Sequence, residues 1–179
     1  MTECTIYQTL EDTNNYDEIE NHGPYKCRKE NAWLGHGYYF WEEEIKWAHK
    51  WGADAGYGSN YIIVKSSYDY DKKNFLDLVG HPKDLKLLRD ILALYKERKP
   101  NENITIPSLI EFAKDVLKND FKYIAIRVNS EYKDYDYILD FPGKRQARKN
   151  LNPQIQICVI KKSFLLSPFK IIYPDFAVQ

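Results

Sequence analysis

The chain has 179 residues, with 26 Lys and Arg against 26 Asp and Glu and so no formal net charge at neutral pH. That length suits a single domain with its own core, and the balance excludes a protein whose overall charge demands nucleic acid or an anionic membrane. Apolar runs such as FLLSPFKII are interrupted, and MTECTIYQTLED lacks a basic stretch followed by an apolar one, so the expectation is a cytoplasmic protein with no membrane association. Cys4, Cys27 and Cys158 are odd in number and widely spaced, and the four histidines show no ligand spacing; both argue against a disulfide framework or a metal centre. The excess is aromatic, with 15 Tyr, 8 Phe and 4 Trp, a composition that suits wet, partly apolar clefts as well as sheet surfaces.

Residues 4–10, CTIYQTL, mix β-branched and aromatic residues in rough alternation and predict a first strand. The polar stretch 11–33 supports at most a short helix over 16–20. Gly35 and Gly37 flank His36 just before YYFW, which permits a tight turn or a close backbone approach as a strand begins. From Glu42 to Trp51 the reading is helix, with three glutamates in the first turn and Ile45, Trp47, Ala48 and Trp51 on an apolar face. NYIIVKSSYDYD predicts a strand and FLDL a brief one, followed by two helices over 83–98 and 107–120. YIAIRV, YDYILDF and QIQICVI read as strands, 142–153 as a basic loop, and the C-terminal LSPFKIIYPDFAV as an edge strand. Strands flanking a helical insertion at about 82–119 make the fold class α+β, within one domain spanning 1–179.

The order Gly35-x-Gly37-x-Tyr39-Phe40, followed by Ala48 on a helix, resembles the central motif of the ADP-ribosyltransferase superfamily, in particular its poly(ADP-ribose) polymerase and diphtheria-toxin-like branch. The resemblance implies split antiparallel sheets around an NAD cleft, Tyr39 stacking on nicotinamide and Ala48 packing near the pocket. It also implies two further motifs. At the first strand the histidine place falls on Tyr7-Gln8-Thr9, with Gln8 or Tyr7 standing for the histidine. At the late strand the catalytic glutamate place falls on Gln156, with Gln154 on the same face two residues earlier. A glutamine can bond the ribose hydroxyl but brings no negative charge and cannot act as a general base, so Glu42, Glu43 and Glu131 are the carboxylates considered, Glu42 foremost.

NAD is then the substrate and a macromolecule the acceptor, RNA or DNA held through Lys144, Arg145, Arg148 and Lys149, or a protein side chain. Arg127 on an apolar strand must face a partner, and Asp140 or a ligand phosphate is expected there. A small transferase of this kind is similar to bacterial toxins and anti-phage effectors, which implies a neutralising antitoxin. The alternative is a catalytically silent module on the same fold that binds NAD, ADP-ribose or only a protein.

Overall fold

Alternating β-branched and aromatic residues make Glu3–Glu11 the first strand (β1), and a short helix (α1) follows at Tyr16–His22. The computed structural model describes residues 2–71, 74–130, 135–140 and 148–175. Tyr38–Glu42 forms β2 and Ile45–Gly52 forms α2, so Glu42 ends a strand instead of opening a helix. The reason lies across the sheet: Glu42 is in register with Ile6, and its carboxylate is held by side chains from other strands. The chain turns at Glu43, whose φ of 57° is left-handed, and α2 starts only after the extended Glu44.

Tyr61–Asp69 (β3) and Phe75–Asp77 (β4) lead into α3 (Pro82–Arg98), which opens on proline, and α4 (Ile106–Leu117), whose N-terminus carries a reciprocal Thr105–Ser108 capping box. The two helices pack through Ile91, Tyr95, Leu109 and Ala113. Ala125–Asn129 is β5, Ile138–Asp140 and Arg148–Asn150 are β6 and β7, Ile155–Val159 is β8 and Leu165–Tyr173 is β9. The expected basic loop therefore contributes a strand: β7 pairs antiparallel with β6 in a ribbon of their own, where Arg148 meets Asp140 at 2.8 Å. Glu131, Lys144 and Arg145 lie outside the described residues.

The other seven strands form one sheet in the order β4-β5-β8-β2-β1-β3-β9, with β2 at its centre and β9 at an edge as expected. Two small antiparallel sheets were anticipated; these seven strands instead make one continuous sheet, apart from the β6–β7 ribbon and mixed because β4 and β5 run parallel. It curls strongly. Four strands separate β3 from β4, yet the rings of Tyr68 and Phe75 approach to 5.5 Å and the Tyr70 hydroxyl donates to Asp77 at 2.7 Å. The concave face buries Ile6, Phe40, Tyr68, Phe75, Ile157 and Phe164, with α1 closing its β3–β9 end through Ile19 against Ile62 and Val64. The convex face is covered by α2 through Trp47 and Ala48 and by α4 through Ile110 against Leu76 and Ile126. Among the described residues no helix is long and apolar enough to cross a membrane.

Gly37 is fixed by close approach. Its amide and carbonyl exchange hydrogen bonds with Cys27 at 3.2 and 2.8 Å, and a Cβ there would fall 2.3 Å from Cys158 Sγ and 2.9 Å from the Val159 carbonyl oxygen. Gly37→Ala is expected to destabilise the fold by roughly 1–3 kcal/mol, read as a lowered urea midpoint at unchanged slope; a midpoint equal to that of the parent would show that the two strands can part freely.

Candidate functional site

Successive side chains of a strand point to opposite faces, so β2 sorts the residues singled out above into two groups. Tyr39 and Trp41 look to the convex face. Trp41 is in register with Tyr7 on one side and Gln156 on the other, and Tyr39 with Cys158, so Tyr7, Tyr39 and Gln156 share that face on three adjacent strands. Phe40 and Glu42 look to the concave face, together with Gln8 and with Arg127, which is in register with Ile157 opposite Phe40.

On the convex side Tyr39 is half-buried, and its hydroxyl accepts from the Leu34 amide at 2.9 Å and donates to the Gly35 carbonyl at 2.7 Å. Burial raises its pKa, so the phenol stays protonated. Gln156 is buried, with its Oε1 accepting from Trp33 Nε1 at 2.5 Å. Thr9 donates its hydroxyl to the Ala48 carbonyl at 2.8 Å, which pins the fully buried Ala48, and with it α2, to β1. Tyr7 is half-buried; burial, then Glu43 and Glu44, raise its pKa. Those two carboxylates are therefore near the Tyr7 end of the site, and Glu43 also accepts from the Thr5 amide at 2.7 Å. Burial pushes the Cys158 thiol up to about 12, which leaves it unreactive at neutral pH.

The concave group has a different use. Gln8 donates to the carbonyls of Tyr25 and Tyr39 at 3.2 and 3.3 Å and accepts from the Tyr25 amide at 3.2 Å, so its amide fastens the 23–27 segment to the sheet. Arg127 grips Glu42 through Nε, at 2.9 Å from both carboxylate oxygens, and through Nη2 at 2.6 Å, and it reaches Asp77 through Nη1 at 3.1 Å. Tyr68 also donates to Glu42. Asp77 accepts from Tyr70 and from the amides of Val79 and Gly80, and Asp84 accepts from the Asp77 amide at 2.9 Å. The partner expected for Arg127, Asp140 or a phosphate, is thus replaced by two buried carboxylates, because strand alternation turns the guanidinium into the curl of the sheet and away from the ribbon. Glu42 faces away from Tyr39 for the same reason.

The structure brings Tyr7, Thr9, Gly37, Tyr39, Ala48 and Gln156 to one side and sends Gln8, Glu42 and Arg127 to the other. Arg148 and Lys149 are exposed on the ribbon. Trp33 and Asp77 had been passed over. Asp77 was legible, being a lone carboxylate in FLDL that raises the same question as Arg127 in YIAIRV. Trp33 carried no signal beyond an indole donor ahead of the glycine pair. A groove of about 640 Å³ lies elsewhere, beside α3 and α4, lined by Tyr95, Arg98, Phe112 and Asp115, and shares no residue with this face. Comparison with known protein families, curated proteins and solved structures finds no match to the chain.

Removing one member of a buried ion pair strands the other. Glu42→Gln is expected to cost about 3–5 kcal/mol by that route, checked by urea denaturation against Lys50→Gln, which removes the charge of an exposed pair with Asp54 and should change little. Burial alone would raise the pKa of Asp77, but Tyr70, the Gly80 and Val79 amides and Arg127 together hold it below the ordinary aspartate value. The unfolded chain then binds the proton more readily, so this contribution is present above about pH 4 and is lost as the pH falls through the lowered value. Asp77→Asn should be less stable at neutral pH and should flatten the acid limb of the stability profile below about pH 4; a limb as steep as the parent's would assign the effect to another carboxylate.

Proposed function

We propose that the convex face at Tyr39 binds NAD and that the chain transfers its ADP-ribose to a macromolecular acceptor. The observation that carries this reading is the placement of Tyr7, Tyr39 and Gln156 on one face of three adjacent strands, with α2 clamped beside them by Thr9 and Ala48. The superfamily resemblance set its motifs on a first strand, a Gly-x-Gly-x-Tyr strand and a late strand, and β1, β2 and β8 are neighbours here. Tyr7, which faces the same way as Tyr39, takes the place left open between Tyr7 and Gln8.

In this reading nicotinamide stacks on the Tyr39 ring and Gln156 accepts a bond from a ribose hydroxyl. The carbon–nitrogen glycosidic bond breaks, its electron pair leaves with neutral nicotinamide, and the ribose carbon gains oxocarbenium character that strengthens the hydroxyl contact. The acceptor's oxygen or nitrogen then bonds to that carbon and loses a proton. Glu43 and Glu44, beside Tyr7, are the carboxylates on the right side to assist; Glu42 is not. A guanidinium or nucleobase nitrogen would ask least of a base, and an RNA or DNA acceptor would place phosphates near exposed Arg148 and Lys149. The role is that of a toxin or anti-phage effector restrained by an antitoxin.

A second reading, an NAD-binding module without turnover, is favoured by one observation: the strongest carboxylate candidate, Glu42, is sequestered with Arg127 on the opposite face.

The test is nicotinamide release from NAD by the whole chain, alone and with RNA, DNA or cell lysate. Release is expected with one acceptor class, to fall by about 10-fold or more in Gln156→Ala and Tyr39→Ala, and to survive in Tyr39→Phe, which keeps the ring. Thermal stabilisation by NAD without release under any addition would establish the silent module. Neither stabilisation nor release would reject both.

A further inference from the structure

The two residues assigned to the ligand are both engaged by the same segment. Trp33 Nε1 donates to Gln156 Oε1, and the Tyr39 hydroxyl accepts from Leu34 and donates to Gly35. We infer that the 28–37 strap is an internal occupant of the ligand site, with the Trp33 indole N–H standing where a ribose hydroxyl of NAD would bond Gln156, so that ligand binding requires the strap to swing outward. This rests on the NAD reading of the same face.

The geometry supports a segment made to exchange. Its two ends are tied to each other by the Cys27–Gly37 bridge, and Leu34 is buried against Val128 and Cys158, while Arg28, Lys29, Glu30 and Asn31 are exposed. Between Leu34 and the bridge sits Gly35 at a φ of 83°, with open space around the position of a Cβ. An indole N–H and a sugar hydroxyl are both single donors to a carbonyl oxygen. Replacing one by the other leaves Gln156 satisfied in either state, so the cost of opening is confined to the strap's own packing and to its latch on Tyr39. A vicinal diol such as a ribose suits the exchange, because one hydroxyl takes the bond given up by Trp33.

The experiment uses the whole chain, with NAD titrated by calorimetry against three proteins: the parent, Trp33→Phe, which keeps an aromatic ring but lacks the N–H, and Gly35→Ala, which penalises the left-handed turn without touching Gln156. Both variants are expected to bind NAD roughly 2- to 10-fold more tightly. Trypsin cleavage after Arg28 and Lys29 should be faster in both variants, and faster in the parent when NAD is added. Circular dichroism confirms that each variant is folded, and because the two act at separate atoms, loss of one leaves the other as the test. NAD bound with equal or weaker affinity by both variants, or bound by the parent with unchanged cleavage, overturns the strap inference and leaves the NAD reading intact. No NAD binding by parent or variants overturns both together.

Discussion

Everything else in this molecule depends on the alternation of side chains along its central strand. β2 is five residues long and has three strands on either side, so each of its side chains is committed to one of two separate environments. A shift of one residue would exchange Tyr39 and Trp41 for Phe40 and Glu42. Both environments forbid it. The concave side holds Phe40 in a closed aromatic core and Glu42 beside a guanidinium, whereas the convex side sets Gly37 against Cys158 where no Cβ fits. The register is thus set by sterics at one end of the strand and by charge at the other.

The charge at that second end also explains a local irregularity. A largely buried arginine between two buried carboxylates is tolerable only when nearly every polar atom has a partner, and here Tyr68, Tyr70 and the amides of Val79 and Gly80 supply the remaining bonds. The cluster draws on β2, β3, β4 and β5 and on the segment after β3, and so holds the curl that brings β3 over β4. Keeping Glu42 inside it forces the chain to leave β2 through the left-handed Glu43 before α2 can begin. Glu43 and Glu44 are thereby turned toward Tyr7, so a structural ion pair on one face decides which carboxylates are near the other.

Legibility followed the range of the interaction concerned. Helices α3 and α4 and the strands β1, β3, β8 and β9 were readable because the periodicity of their apolar residues is a local signal. The start of α2 was not, since EEE reads as a helical first turn unless Arg127, far along the chain, is known to claim its first member. The continuity of the sheet was hidden for a similar reason: β4 joins through the three residues Phe75–Asp77, and nothing in FLDL tells which strand it will pair with. At the proposed site, it was the resemblance to the superfamily motifs that pointed to Tyr39 and Gln156, but which of Tyr7 and Gln8 accompanies them is a matter of register. Trp33 could not be found at all, because its partner lies 123 residues away.

The glutamine at 156 and the strap above it fit one another chemically. A carboxylate there would serve the developing positive charge of a ribosyl transfer better, yet in the closed state it would lie buried beneath Trp33 with a single indole donor, and Arg127, held by Glu42 on the far face, could not reach it. Burying a charge on those terms is costly, whereas burying an amide that has a hydrogen bond is not. On the proposed reading, the neutral side chain gives up part of the electrostatic stabilisation of the transition state and gains a site that can be covered by its own chain. On that same reading, a resting state closed in this way would keep nicotinamide away from Tyr39 and a ribose away from Gln156 through one segment, which would suit a transferase whose unrestrained action on a macromolecule is harmful.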